Sequence, residues 1–255
     1  SLKKAVEGHA PAVLVNCGAY TKVDLAEKER ERAYAVNRDG AANLAAAAAL
    51  SGATLVHIST DFVFDGATPA PYSEDSPTNP LSVYGDSKLK GEEEIAKRLR
   101  EHVIIRTSWL YGSGGGNFVK TILRLAGEKE TLRVIYDQTG TPTWTVDLAG
   151  AVVSVVDRIG SGAKDYGMYH YSNEGVASWY DFALSAVEEA GCLGAELKCS
   201  RIEPIRTAEY PTPAKRPAYS VLEKKKIKSV FALEVPHWRG SLKRMLKELY
   251  GGKDA

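Results

Sequence analysis

"TLVHIS" at 54–59, "PLSVYGDSKLKGEEEIAKRL" at 80–99 and "VIIRTS" at 103–108 read in order as strand, helix and strand. The two outer runs are short, apolar and rich in β-branched residues, the pattern of strands buried on both faces. Between them "NPLSVYG" supplies the tightest helix start in the chain, with Asn79 expected as N-cap and Pro80 at the first helical position. The same order extends outward. "AVLVN" (12–16) reads as a strand, "CGAYTKVD" (17–24) as a loop, Glu27 to Leu50 as a long Ala-rich helix, and "NFVKTILRLAG" (117–127) as a further helix. Such strands alternating with helices predict an α/β fold, with a parallel sheet covered on both faces. Beyond residue 115 the order changes. "LRVIYDQTGTPTW" (132–144) and "GMYHYSNEG" (167–175) read as strands or loops rich in aromatics and amides, and "PAKRPAYSVL" (213–222) as an irregular basic stretch. Segments of this kind often build a substrate-binding subdomain.

At 255 residues, 44% hydrophobic and 25% charged, the chain can bury a sizeable core, which argues against disorder. Its 33 Lys+Arg against 32 Asp+Glu leave a formal charge of +1, so no global field selects nucleic acid or an anionic membrane. An anionic ligand must be held by local charge. Cys17, Cys192 and Cys199 are too few and too scattered for a disulfide framework or a zinc site, and are read as buried or inert thiols. No apolar run approaches the ~20 residues of a membrane span, and "SLKKAVEGH" lacks the apolar core of a signal peptide. A reducing cytoplasm is the expected setting. "EKKKIK" (223–228) reads as solvated surface.

A sheet that holds a dinucleotide normally opens with a strand and a GxGxxG turn, with the pyrophosphate on the next helix. Nothing like it precedes "AVLVN". "YGSGGGNF" (111–118) follows a late strand and lacks the spacing, so it reads as a flexible loop; phosphate contact through the next helix N-terminus is the alternative.

Tyr84 and Lys88 stand four residues apart, and residues at i and i+4 share a helix face. A phenol near pKa 10 is a poor acid-base group at neutral pH, but a neighbouring ammonium favours the phenolate and draws the pKa towards the working range. With thirteen tyrosines in the chain, this spacing also arises by chance. Its setting adds weight: the preceding strand ends in Ser59 and Thr60, and ligands of open parallel sheets bind at strand C-termini. Taken alone, Thr60 is equally a turn-forming hydroxyl.

"STDFVFDG" (59–66), "PYSEDSPTNPLSVYGDSKLKGEE" (71–93), "IIRTSWLYG" (104–112), "NFVKTILRLA" (117–126) and "DQTGTPTW" (137–144) together resemble successive blocks of the dTDP-4-dehydrorhamnose reductases, extended short-chain dehydrogenase/reductases. The resemblance runs from about residue 11 to the C-terminal helix. It implies a Rossmann-type cofactor-binding domain at 1–114 and 140–174, and a smaller substrate-binding subdomain at 115–139 and 175–255. It further implies hydride transfer from NADPH or NADH to C4 of dTDP-4-dehydro-β-L-rhamnose. On this pattern Tyr84 donates the proton, Lys88 is its partner and a ligand of the nicotinamide ribose, and Thr60 hydrogen-bonds the reacting oxygen or the tyrosine. Asp61 and Trp109 match positions that meet the deoxysugar, with a core tryptophan as the alternative for Trp109. Ala19, Tyr20 and Thr21 match the loop beside the cofactor. Asn37, a poor helix former expected in mid-helix, lies near the cofactor in related reductases; a solvent-facing asparagine is the other reading. Arg216 could hold the charged nucleotide or lie solvated at the surface. A homodimer is compatible with the resemblance, and no pattern in the sequence fixes it.

Two departures from the family stand out. Phe62 occupies a position where many relatives carry tyrosine. The family's first βαβ piece, on the order of 40 residues, is also missing ahead of "AVLVN", and a truncated sequence is the favoured reason. An epimerase or dehydratase of the same superfamily is the competing enzyme reading, although the Asp-Glu pair of a dehydratase is not visible where Phe62 follows Asp61. A regulatory subunit like that of methionine adenosyltransferase is the competing non-enzyme.

Overall fold

The computed structural model describes residues 2–251. β1 (Val13–Asn16), β2 (Thr54–Thr60) and β3 (His102–Thr107) lie side by side in parallel, and Gly167–His170 continues the sheet beyond β3. All of β2 except Ile58 is buried, as expected of a strand covered on both faces. Helices Gly40–Ser51 and Val83–Arg98 pack on this sheet through Ala41, Ala45, Ala48 and Ile95, which meet Leu55 and Ile104. Alanines on the first helix allow close approach. Val83–Arg98 comes closer still at two glycines. A Cβ at Gly85 would sit 2.2 Å from Phe62 O, and one at Gly91 would sit 2.3 Å from Asn37 O.

Two expected local structures are corrected. Helix Val83–Arg98 is capped by Ser82, whose Oγ accepts from Gly85 N at 3.2 Å, and not by Asn79. Asn79 is used in the preceding loop, where its Nδ2 donates to Asp65 Oδ2 and its backbone N to Val63 O. Tyr84 therefore projects from the first helical turn. The long helix expected over Glu27–Leu50 is broken into Val23–Ala26, Arg30–Tyr34, a π-helical turn Ala35–Asp39 and Gly40–Ser51. The π turn rotates Asn37 inward, where its polar side chain finds partners that a solvent-facing position would not offer.

The described residues fall into two compact units. The first comprises the chain up to Thr107, Ala151–Tyr171 and Thr212–Leu233; the second comprises Ser108–Gly150, Ser172–Pro211 and the chain from Glu234 onward. These boundaries differ from the expected ones. Residues 212–233 join the first unit because Tyr72 N donates to Val221 O and Glu223 N to Tyr72 O, while Leu222 packs on Val63, Phe64 and Tyr72. Residues 140–150 join the second because Leu110–Tyr111 pairs with Thr143–Trp144, whose Trp144 N donates to Asn173 Oδ1. The second unit's own core is aromatic, built from Tyr111, Trp144, Phe182 and Trp238 with Leu242 and Met245. In it "YGSGGGNF" forms a loop whose Asn117 caps helix Phe118–Glu128, accepting from Lys120 N at 3.1 Å. All three cysteines are free; Cys17 and Cys192 are exposed and Cys199 is half-buried, so of the expected buried or inert thiols none is fully buried. None of the described helices is long and apolar enough to cross a membrane.

Candidate active site

The first unit gathers most of the predicted site residues at the C-terminal end of β2. Thr60 closes the strand and caps the short turn Asp61–Val63, its Oγ1 accepting from Phe62 N at 3.2 Å. The Thr60 hydroxyl, which donates to Asp61 Oδ1 at 3.2 Å, lies close enough to the Tyr84 phenol to act on its pKa. The Tyr84 ring is partly buried, meets the Phe62 ring edge-on at 5.5 Å, and packs with Tyr20, Ala26, Ala33 and Val83. Its pKa is pushed up to about 12, chiefly by burial and also by the nearby Asp61 charge, with Thr60 acting in the opposite direction. The lowering by Lys88 expected from the spacing is not among these causes.

Lys88 explains why. Its side chain is 1% exposed and turns onto β2, donating to Ile58 O at 2.6 Å and approaching His57 Nε2 at 3.1 Å. Burial depresses its pKa to about 8, with Glu92 and then Cys17 working in the opposite direction. The Ile58 carbonyl takes one N–H of Lys88, and the direction of its contact with His57 Nε2 follows the imidazole tautomer. At least one N–H of Lys88 remains beyond these two contacts. Asp61 is also buried, with its Oδ2 unpartnered; desolvation raises its pKa to about 7 against the hydrogen bonds of Ser220 and Thr60.

Asn37 is 2% exposed and fully engaged by protein. Its Oδ1 accepts from Tyr20 N at 2.8 Å, and its Nδ2 donates to Tyr20 O at 3.2 Å and Ser87 Oγ at 2.9 Å. The solvent-facing reading is thereby corrected: Asn37 clamps the Ala19–Thr21 loop to helix Val83–Arg98. Within that loop Tyr20 is buried and Thr21 exposed. Arg216 is not a freely solvated cation; it is paired within the first unit. Its guanidinium pairs with Asp24 at 2.7 and 3.1 Å and also reaches Thr212 Oγ1 and Ala214 O, and it holds the Asp24 carboxyl below the usual range.

Trp109 lies in the second unit, partly buried and stacked on Trp179 with centroids 3.5 Å apart and rings 5° from parallel. Its φ of +48° is strained for a bulky residue. It also packs against the aromatic core of the second unit, so the core reading of Trp109 has contacts behind it.

Several residues of the first-unit site went unread in the sequence. Glu92 lies one turn beyond Lys88 and makes a bidentate pair with Arg106, both about 95% buried. Ser59 donates to the same carboxylate. Ser87 links Asn37 to Tyr84 O. His57 and Arg106 did carry a signal, as charged or titratable residues inside otherwise apolar strands.

With this geometry in place the comparisons become specific. A family model for the RmlD substrate binding domain matches residues 1–250. The dTDP-4-dehydrorhamnose reductase of Sinorhizobium fredii is 44% identical over 261 aligned positions, covering 100% of this chain and 86% of the relative. The chain belongs to the dTDP-4-dehydrorhamnose reductase family. Two crystal structures of the reductase family agree with that assignment. The Clostridium acetobutylicum enzyme superposes with a TM-score of 0.90 at 42% identity, covering 97% of this chain and 84% of the other. The Bacillus anthracis enzyme, solved in complex with NADP, gives 0.89 at 39% identity over the same shares. The Rossmann-type fold and the oxidoreductase class expected from the sequence therefore stand.

Proposed function

We propose that this protein transfers hydride from NADPH or NADH to C4 of dTDP-4-dehydro-β-L-rhamnose, giving dTDP-L-rhamnose. The observation that carries the reading is the convergence of Thr60, Tyr84 and Lys88 at the C-terminal end of β2, in a chain of the reductase family. Tyr84 donates the proton to the C4 oxygen, and Thr60 hydrogen-bonds that oxygen and the phenol. The spare Lys88 donor suits a ribose hydroxyl, so Lys88 holds the cofactor beside the Ala19–Thr21 loop that Asn37 fixes. Nicotinamide would supply the hydride. The NADP-bound relative favours NADPH. Asp61 and Trp109 are assigned to the deoxysugar, whereas Arg216, engaged by Asp24, is not assigned to the nucleotide. The 1–114 and 140–174 part is read as the cofactor side and 115–139 with 175–255 as the substrate side, adjusted to the contact boundaries above.

The test is tritium transfer from nicotinamide-labelled NADPH into purified dTDP-4-dehydro-β-L-rhamnose. Label in the product C4 position supports reduction. Label retained on the cofactor, with a rearranged or dehydrated sugar, would move the protein to the epimerase or dehydratase class.

A further inference from the structure

Among the described residues no carboxylate hydrogen-bonds or ion-pairs with Lys88; buried Glu92 acts on it only through space. Its ammonium meets the Ile58 carbonyl and the imidazole of His57, a 1% exposed residue of β2. His57 in turn reaches across the strand register to Asn16, its direct partner on β1, with Nδ1 2.8 Å from Asn16 Nδ2. Asn16 Oδ1 accepts from Gly18 N at 3.0 Å, which ties the chain end to the loop that follows β1. We propose that His57 is the positioning residue of Lys88, fixing where its nitrogen points and setting the pH at which it keeps its third proton. The proposal deepens the reductase reading and rests on it for the catalytic consequence.

Proton bookkeeping gives the device its content. A neutral imidazole carries one N–H and one acceptor. When Lys88 is an ammonium it donates to Nε2, so Nδ1 holds the hydrogen and must donate to the Asn16 side-chain oxygen. When Lys88 loses one proton, its amine accepts from Nε2–H, and Nδ1 accepts from the Asn16 amide nitrogen. The second arrangement matches the Asn16 orientation described above; the first needs a half-turn of that amide. Lys88 charge, His57 tautomer and Asn16 orientation therefore change together. His57 itself stays neutral, because burial and the Lys88 charge both hold its pKa well below the ordinary range. The other groups that act on the lysine are Glu92 from its own helix, held by Arg106 of β3, and Cys17 after β1; Asp61 acts on Tyr84.

The test compares wild type with His57→Leu, His57→Asn and His57→Gln in the full chain. Glutamine places an amide near the Nε2 position, whereas asparagine reaches only the Nδ1 position and leucine offers neither. Lys88 is followed by 13C NMR of labelled lysine, assigned by its loss in Lys88→Arg, and His57 by 15N NMR of labelled imidazole. In wild type the His57 signal should pass from the Nδ1–H to the Nε2–H tautomer as Lys88 titrates. His57→Leu and His57→Asn should lower the Lys88 titration by about one pH unit, the worth of one hydrogen bond to a charged group. His57→Gln should restore it. The pH dependence of turnover should follow the same order, with the cofactor KM raised about tenfold in the leucine variant. An unshifted Lys88 titration, or a single His57 tautomer throughout, would reduce His57 to a core histidine. A shifted titration in a protein that never reduces the nucleotide sugar would overturn the reductase reading and leave the role of His57 standing.

Discussion

Lys88 and Glu92 sit one turn apart on the same face of one helix, both buried, and they are neutralised in opposite ways. Glu92 meets a buried arginine in a bidentate pair, with Ser59 as a further donor. Among the described residues the hydrogen bonds of Lys88 go to a carbonyl and an imidazole, and Glu92 acts on it only through space. A buried charge with a full counter-charge can stay ionised and fasten elements together; here it joins the helix to β2 and β3. A buried charge given only neutral acceptors is pushed towards losing its proton, and Lys88 accordingly sits at about 8. The difference separates a residue that holds the site from one equipped to work in it.

The sharpest break of that comparison is at Tyr84, one turn ahead of Lys88 on the same helix. Tyr84→Phe should lower kcat by about 10³-fold while circular dichroism and cofactor affinity stay as in wild type, since it deletes the proton donor and keeps the ring. A rate within a few-fold of wild type would remove Tyr84 from the chemistry. Next comes the structural partner. Glu92→Ala leaves Arg106 buried without its counter-charge and should cost about 3–5 kcal/mol in denaturant unfolding, whereas a Glu92→Leu, Arg106→Met double variant should recover most of it. Recovery of nothing by the double variant would mean that the pair does more than satisfy itself.

Asp61 sharpens the comparison from the acidic side. Its native pKa of about 7 lies above the ordinary 3.8, so between those values the folded protein holds a proton that the unfolded chain has lost. Stability from this group is full below about pH 4 and is lost as pH rises towards 7. Asp61→Asn should therefore stabilise the fold at pH 8 by on the order of 4 kcal/mol at most, seen as a raised melting temperature, and change it little at pH 4. A gain of the same size at both pH values would show that charge is not the cause. The smallest effect concerns packing alone. Gly91→Ala would put a methyl 2.3 Å from Asn37 O and should cost about 1–3 kcal/mol, with a weakened Asn37 clamp visible as faster amide exchange at Tyr20.

The sequence by itself determined the order of strands and helices, the parallel sheet, the family, and the placing of Thr60, Tyr84 and Lys88 near one strand end. These are local signals: apolar runs with β-branched residues, a four-residue spacing, and blocks of motif met in order. It missed the break in the Glu27–Leu50 helix, because a π turn is created by what Asn37 finds across the fold, and no local pattern encodes Tyr20 and Ser87 as its partners. It also placed the helix start three residues early. Asn79 and Ser82 are both competent caps, and only the loop contacts of Asn79 with Asp65 and Val63 decide between them. The pairing of Arg216 with Asp24, far away in sequence, was likewise not legible in the basic stretch around it. What tertiary structure alone decided is the direction of the site's electrostatics. Spacing puts Lys88 on the same face as Tyr84, but desolvation and the partners supplied by β1, β2 and β3 set each group's proton affinity, and those depend on which strands become neighbours.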